Sequence, residues 1–348
     1  MKKYPFKMTS VIVFALLLST LTFLTCSNSQ NNSLAVTKET LQIPKLTFLS
    51  TMKTSPQDSI FNVCIVNSEK YLATQTVYGQ LFFFDKISKT WKPVEGFGQN
   101  DWSLNSIHFF DLKNGLIAGN SGTLLRTADG GETWTTVPRF TRYNFKLMSF
   151  SNSQDGYLSG DLTIVDEKSG ALSYKLEVFR TEDGGGHWNK VYSNVSETDF
   201  LFAIATVSPN VCLLAIAEKR LLRTENGGKT WQQISSVNSV RDVTFSQNKI
   251  GWLVNNNGGF FRSDDEGRSW YKPTGLPEEL GSCEWWSVDI GKDGFGAAVS
   301  ENGCVAYTND GINWQKMATP IKDHLRDVVI QGQRGIILGE NSVYEITF

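Results

Sequence analysis

Four nine-residue stretches place a carboxylate, or its amide, at one fixed distance from a tryptophan. They are RTADGGETW at 126–134, RTEDGGGHW at 180–188, RTENGGKTW at 223–231 and RSDDEGRSW at 262–270. Oxygen ligands recurring in this way suggest calcium first. A calcium loop, however, needs a longer series of alternating oxygens ending in glutamate, and none of the four has it. Zinc is no better served, because His108, His187 and His324 are dispersed and no His-x-x-His or Cys-x-x-Cys pair occurs. The stretch GFGAAV at 294–299 starts like a dinucleotide loop but lacks the third glycine and a following helix. There is no G-x-S-x-G elbow. Glycoside hydrolysis needs two carboxylates across a bond, and nothing in the sequence marks such a pair. The expectation is a chain with no catalytic residue, no cofactor and no metal.

What these residue types do suit is a tight turn. Serine or threonine lies seven residues before the tryptophan, aspartate or asparagine five before, and glycine three before. The sets are Thr127, Asp129, Gly131 and Trp134; Thr181, Asp183, Gly185 and Trp188; Thr224, Asn226, Gly228 and Trp231; and Ser263, Asp265, Gly267 and Trp270. Asp and Asn side chains bond to turn amides, and glycine accepts positive φ. The tryptophan opening the next strand buries its ring and seeks a partner for its indole N–H. TNDGINW at 308–314, with Asp310 and Trp314, is one residue shorter, and FDKISKTW at 84–91 has lost the glycine.

The elements that must carry these turns follow from their spacing. Trp91, Trp134, Trp188, Trp231, Trp270 and Trp314 are separated by 43, 54, 43, 39 and 44 residues, which is the length of a four-stranded propeller blade. Between them, runs such as NSIHFFD, NGLIAGN, GTLLRTA and TWTTV read as short strands punctuated by turn residues. GIILGENSVYEIT at 335–347 aligns without a gap on GLIAGNSGTLLRT at 115–127, so the chain stops where a turn and a fourth strand are due. KLTFLST at 45–51 has the pattern to supply that strand. The prediction is all-β: a seven-bladed β-propeller of four-stranded antiparallel blades over 45–348, the ring closed by an N-terminal strand, which removes exposed edges.

The four turns resemble the Asp-box, or BNR repeat, and the resemblance covers nearly all of 45–348. It implies that the box is a structural turn on the face opposite the usual ligand site. Sialidases and other glycoside hydrolases use such propellers, but the early RIP motif of a sialidase is absent. Arg126, Arg180, Arg223 and Arg262 recur with the repeat and are expected between blades rather than in a catalytic trio. A second branch is more similar in size and layout, namely the photosystem II assembly/stability factor family of exported, often lipid-anchored seven-bladed propellers. The blade at 108–134, HFFDLKNGLIAGNSGTLLRTADGGETW, resembles that family's repeat. This resemblance implies a non-catalytic protein-binding or assembly scaffold. The alternative it leaves is a carbohydrate-binding or glycoside-hydrolysing propeller.

A ligand would meet the face opposite the box turns, where the innermost strands begin. Those entries carry Asp101 and Trp102, Arg142 and Tyr143, Arg241 and Asp242, Glu284, Trp285 and Trp286, and His324, Arg326 and Asp327. Aromatic and arginine residues are enriched at protein-binding hot spots, although rings at strand starts also pack simply as core. About eleven extra residues, TIVDEKSGALS at 163–173, account for the long interval and are expected in a loop on the same face.

The first 25 residues read as a signal peptide. A basic start, MKKYPFK, precedes sixteen uncharged residues at 10–25, which is short for a membrane span. Cys26 follows directly and resembles the lipid-modified cysteine of bacterial lipoproteins. Residues 26–44 form a polar linker. The expected location is therefore outside the cytoplasm, membrane-anchored through Cys26, with a membrane or envelope protein as partner. A formal net charge of −2 gives no basic field for nucleic acid. Cys64, Cys212, Cys283 and Cys304 are expected as buried thiols, with pairing left open for an exported chain.

Overall fold

The computed structural model describes residues 43–51, 60–67, 70–75, 79–97, 103–137, 143–165, 172–196, 200–217, 220–234, 236–340 and 342–348. The expected leader, Cys26 and the linker as far as residue 42 lie outside the described residues, as do Asp101, Trp102 and Arg142.

Seven antiparallel sheets follow one another along the chain. The first blade is Ile60–Ile65, Tyr71–Gln75, Leu81–Asp85 and Thr90–Pro93. Blades two to six occupy 104–136, 144–196, 201–234, 240–271 and 285–317. The seventh holds Leu325–Gln331, Arg334–Gly339 and Ser342–Thr347, and takes its outermost strand from Lys45–Thr51. That closing strand pairs Lys45 with Thr347 and Thr51 with Ser342. The incomplete C-terminal repeat is thus completed from the N-terminal side, as its alignment predicts.

Two blades depart from the expected pattern. In blade five the outermost strand shrinks to a single bridge between Arg262 and Tyr271. Pro273 lies two residues on, and proline has no N–H to extend a ladder. In blade three the ends of the insertion, 163–165 and 172–173, are strand: the second and third strands are Gly156–Val165 and Leu172–Thr181, paired in register through Val165 and Leu172, and 166–171 lie outside the described residues.

The core lies between blades rather than inside one. Seven apolar clusters each draw on two neighbouring sheets. Strands with both faces covered read as unbroken apolar runs; Val211–Ile216, VCLLAI, is buried at all six positions. Polar side chains then join neighbouring innermost strands. The Ile107 amide donates to Asn62 Oδ1 (3.3 Å), Asn105 Nδ2 to the Phe145 carbonyl (2.6 Å), and the Thr206 amide to Ser149 Oγ (3.0 Å).

The recurring turns sit at one end of the blades, against the turns between first and second strands. The Gly130 amide donates to the Lys113 carbonyl, Gly184 to Gln154 and Gly227 to Asn210. Inside each turn one bonding pattern repeats. Thr127 Oγ1 accepts from the Gly131 amide (2.9 Å) and donates to Asp129 Oδ1 (2.8 Å); Thr181, Thr224 and Ser263 do the same for their glycines and for Asp183, Asn226 and Asp265. Bonds from the Thr133 hydroxyl and amide and from Thr127 hold the Asp129 carboxyl well below the usual carboxylate range. At Asp183, burial pushes the carboxyl up, but His187 and Thr181 outweigh it and hold it at about 2. Trp134 and Trp188 donate their indole N–H to Gly131 and Gly185 of their own turns, while Trp231 reaches back to Val191 (3.0 Å). Asp310 and Trp314 complete the shorter version, where the Thr308 hydroxyl accepts from Gly311.

The arginines of these turns are staples. Arg126 donates to the Gly184 carbonyl (2.6 Å) and Arg223 Nε to the Glu266 carbonyl (2.9 Å), each reaching the same position of the next blade's turn. Arg180 lies against Gly227 and bonds Asn210 Oδ1 (3.1 Å). At the following junction Trp252 replaces the arginine and donates its indole N–H to the Gly311 carbonyl (2.9 Å).

Close approach makes one glycine especially demanding. A Cβ on Gly228, at φ +87°, would lie 2.6 Å from Val191 Cβ, whereas Gly275, at φ +84°, has open space around it. Gly275→Ala should lose only the left-handed backbone penalty of about 1–2 kcal/mol. Gly228→Ala should lose at least about 1 kcal/mol more from overpacking, read as a lower urea midpoint at unchanged slope. Equal midpoints for the two variants would contradict this packing.

Candidate functional site

At the end away from the recurring turns, the connections entering each blade meet those between its second and third strands. The Asn120 amide donates to the Ser103 carbonyl (2.9 Å), and Glu340 to His324 (2.8 Å); the Gly122 amide reaches on to the Tyr143 carbonyl at the entry of the next blade (2.6 Å). This rim has a feature the turn face lacks: every innermost strand is bulged near its first residues. The pairing shifts between Ile60 and Asn62, Leu104 and Ser106, Phe145 and Met148, Leu201 and Ala203, Val240 and Asp242, Trp285 and Ser287, and Leu325 and Asp327. A bulge leaves one residue unpaired and re-aims its side chain. In blades four to seven the bulged residues are Phe202, Arg241, Trp286 and Arg326.

Three of them form a ladder across three blades. The Arg241 guanidinium lies 4.6 Å from the Trp286 ring centre and 4.9 Å from that of Phe202. A cation held between two ring faces is attracted by their quadrupoles, and its rotamer is fixed in the process. Beside this ladder Arg326 pairs with Glu340 (2.6 Å), His324 lies 4.0 Å from Glu301, and Glu284 is exposed.

Arg241 and Trp286 are themselves buried except at an edge, 9% and 7% exposed, and other residues expected at the rim turn inward too. Trp285 is fully buried, donating its indole N–H to the Leu280 carbonyl (2.9 Å) and packing edge-on against Phe260. It is core because the bulge sends alternate positions to opposite sides. Asp242 and Asp327 are also buried. Asp242 accepts from the Val288 amide (3.0 Å), and Asp327 from Ser287 Oγ (3.2 Å) and the Val328 amide (3.0 Å). They join blades and are not presented to a partner. Tyr143 is half-buried, stacked on Phe145, with its hydroxyl donating to Glu177 Oε2 (2.8 Å). Burial first, and Glu177 second, push that phenol up to about 12.

Sequence reasoning missed Phe202, Glu301 and Glu340. Phe202 had a usable signal, since it occupies the position in LFAIA that Arg241 holds in VRDV and Trp286 in WWSV. It also missed the disulfide between Cys283 and Cys304, which ties the entry of blade six to the end of its second-to-third-strand turn. Cys64 and Cys212 are the buried thiols expected, and burial pushes Cys64 up to about 12. Among the described residues no group of His, Cys, Asp and Glu is arranged to hold a metal ion.

Beneath the ladder lies Asp289, whose Oδ2 accepts from the Ile330 amide (2.8 Å) and Oδ1 from Thr244 Oγ1 (3.1 Å). Burial pushes its carboxyl up to about 7, and nearby Asp242 adds to the rise while the Ile330 amide opposes it. The native state therefore holds a proton that the unfolded chain, at about pKa 4, releases earlier. The resulting stabilisation is complete below about pH 4 and is lost as pH rises through 7. Asp289→Asn should flatten the stability profile between pH 4 and 8, measured by urea midpoints. A profile of unchanged slope would rule out this assignment.

No family model and no curated protein matches the chain. Solved structures do. YCF48 bound to D1 peptide superimposes with a TM-score of 0.63 at 17% identity, over 87% of this chain and 94% of that one. YCF48 from Cyanidioschyzon merolae gives 0.63 at 15% identity, over 86% and 98%. A catalytically inactive virginiamycin B lyase from Staphylococcus aureus with quinupristin gives 0.57 at 12% identity, over 88% and 100%. At these identities the likeness is one of fold.

Proposed function

We propose that the chain is an exported, non-catalytic propeller, lipid-anchored at Cys26, that binds a membrane or envelope protein through its rim as an assembly scaffold. The observation that carries this reading is the Phe202–Arg241–Trp286 ladder. Rigid aromatic and arginine groups fixed before binding lose little further entropy when a partner arrives. Asp242 and Asp327, each following a bulged residue, already accept backbone amides, which favours binding over hydrolysis.

Three further points support parts of the reading. The Cys283–Cys304 disulfide fits an oxidising compartment. The repeated bonding of Thr, Asp and Gly supports an Asp-box identity for the turns. The fold is shared with YCF48, one structure of which holds a D1 peptide, and this favours a protein partner and a place beside the photosystem II assembly/stability factors.

The test is capture from detergent-solubilised native membranes by the chain and by an Arg241→Ala/Arg326→Ala variant, with mass spectrometry of what is retained. The expected result is a discrete membrane protein held by the former and reduced at least tenfold by the variant, whose melting is checked separately. Equal capture by a folded variant would remove the rim from the mechanism.

A further inference from the structure

The turn face carries a feature that a rim-binding scaffold does not require. Among the described residues, exposed large aliphatic side chains on this face belong to one sector. Ile312 is 44% exposed at the tip of blade six's turn, Ile87 97% at that of blade one, and Leu112 50% on blade two. Blade seven lies between six and one, and there Ile43, 75% exposed, stands two residues before the closing strand begins at Lys45. The corresponding turns of blades three to five end in polar residues such as Gln154, Glu182, Asn210 and Arg268. Singly scattered apolar residues need no explanation; four on consecutive blades of one face do.

The start of the closing strand fixes what this sector faces. Lys45 pairs with Thr347, at the same end as Arg334, so the chain enters the closing strand from the turn face. That preceding sequence contains the uncharged run at 10–25 and Cys26. Lysines flank the apolar tips: Lys89 lies two residues after Ile87 and Lys113 follows Leu112, while Lys86, just before Ile87, holds its ammonium over the Tyr71 ring. Acidic residues in these turns point back into the chain, Asp85 and Asp111 accepting turn amides and Asp310 those of Ile312 and Asn313.

We propose that this sector of the turn face, centred on blades seven and one, rests on the lipid bilayer, so that the rim points away from it. The proposal builds on the membrane anchorage proposed above. Aliphatic tips enter the headgroup boundary while neighbouring lysines meet lipid phosphates, the combination that drives interfacial binding.

Full-length protein reconstituted into phosphatidylcholine–phosphatidylglycerol vesicles tests this. A polarity-sensitive thiol label is placed on Ile87→Cys, Ile312→Cys or, at the rim, Glu284→Cys, with the unsubstituted chain as blank. Nitroxide-bearing lipid should quench the labels at 87 and 312 at least twofold more than the label at 284. Equal quenching in chains that float with the vesicles would overturn the orientation alone. Failure to float would overturn the anchorage, and the orientation with it.

Discussion

Burial between neighbouring sheets is the constraint on which everything else in this molecule rests. A blade has two apolar faces and cannot cover either one itself, so each must lie against a neighbour. Seven sheets satisfy that demand only as a closed ring, and closure leaves no sheet face without cover. The hydrophobic effect that drives this is non-directional and does not set which residues meet. Register comes from polar detail: amide-accepting Asn62, Ser149, Asp242 and Asp289 along the inner strands, and arginine staples around the turn face.

The two ends of the blades have divided the work. At one end, the turns are satisfied locally, with their carboxylates committed to hydroxyls and amides. At the other, a bulge in each innermost strand breaks the ladder and re-aims one side chain. In blades four to six the re-aimed side chains are phenylalanine, arginine and tryptophan, and they stack on one another across the interfaces between blades.

Much of the architecture was legible because it is periodic. The tryptophan spacing counts the blades, and the truncated last repeat calls for a strand from Lys45–Thr51. The site was less legible, because a one-residue bulge decides to which side each of two adjacent side chains turns. Trp285 and Trp286 are alike in sequence and both buried, yet the first packs on Phe260 and the second stacks on Arg241. The same uncertainty placed Asp242 and Asp327 at the rim. The Cys283–Cys304 bond was unreadable for another reason: the two residues meet only through the pairing of Trp285 with Ser300 beside them. The ends of the insertion in blade three read as loop by composition but pair as strand, continuing the ladder between the second and third strands.

The closing strand has a mechanical consequence. Lys45–Thr51 runs from the turn face towards the rim, antiparallel to Ser342–Thr347, and the bonds between them lie across the strand direction. A pull on the chain before Lys45, opposed by a load held at the rim, acts along that strand. It shears all six paired residues together instead of peeling them one at a time. The clasp that shuts the ring is therefore oriented to resist tension in the direction in which a tethered molecule holding cargo would feel it.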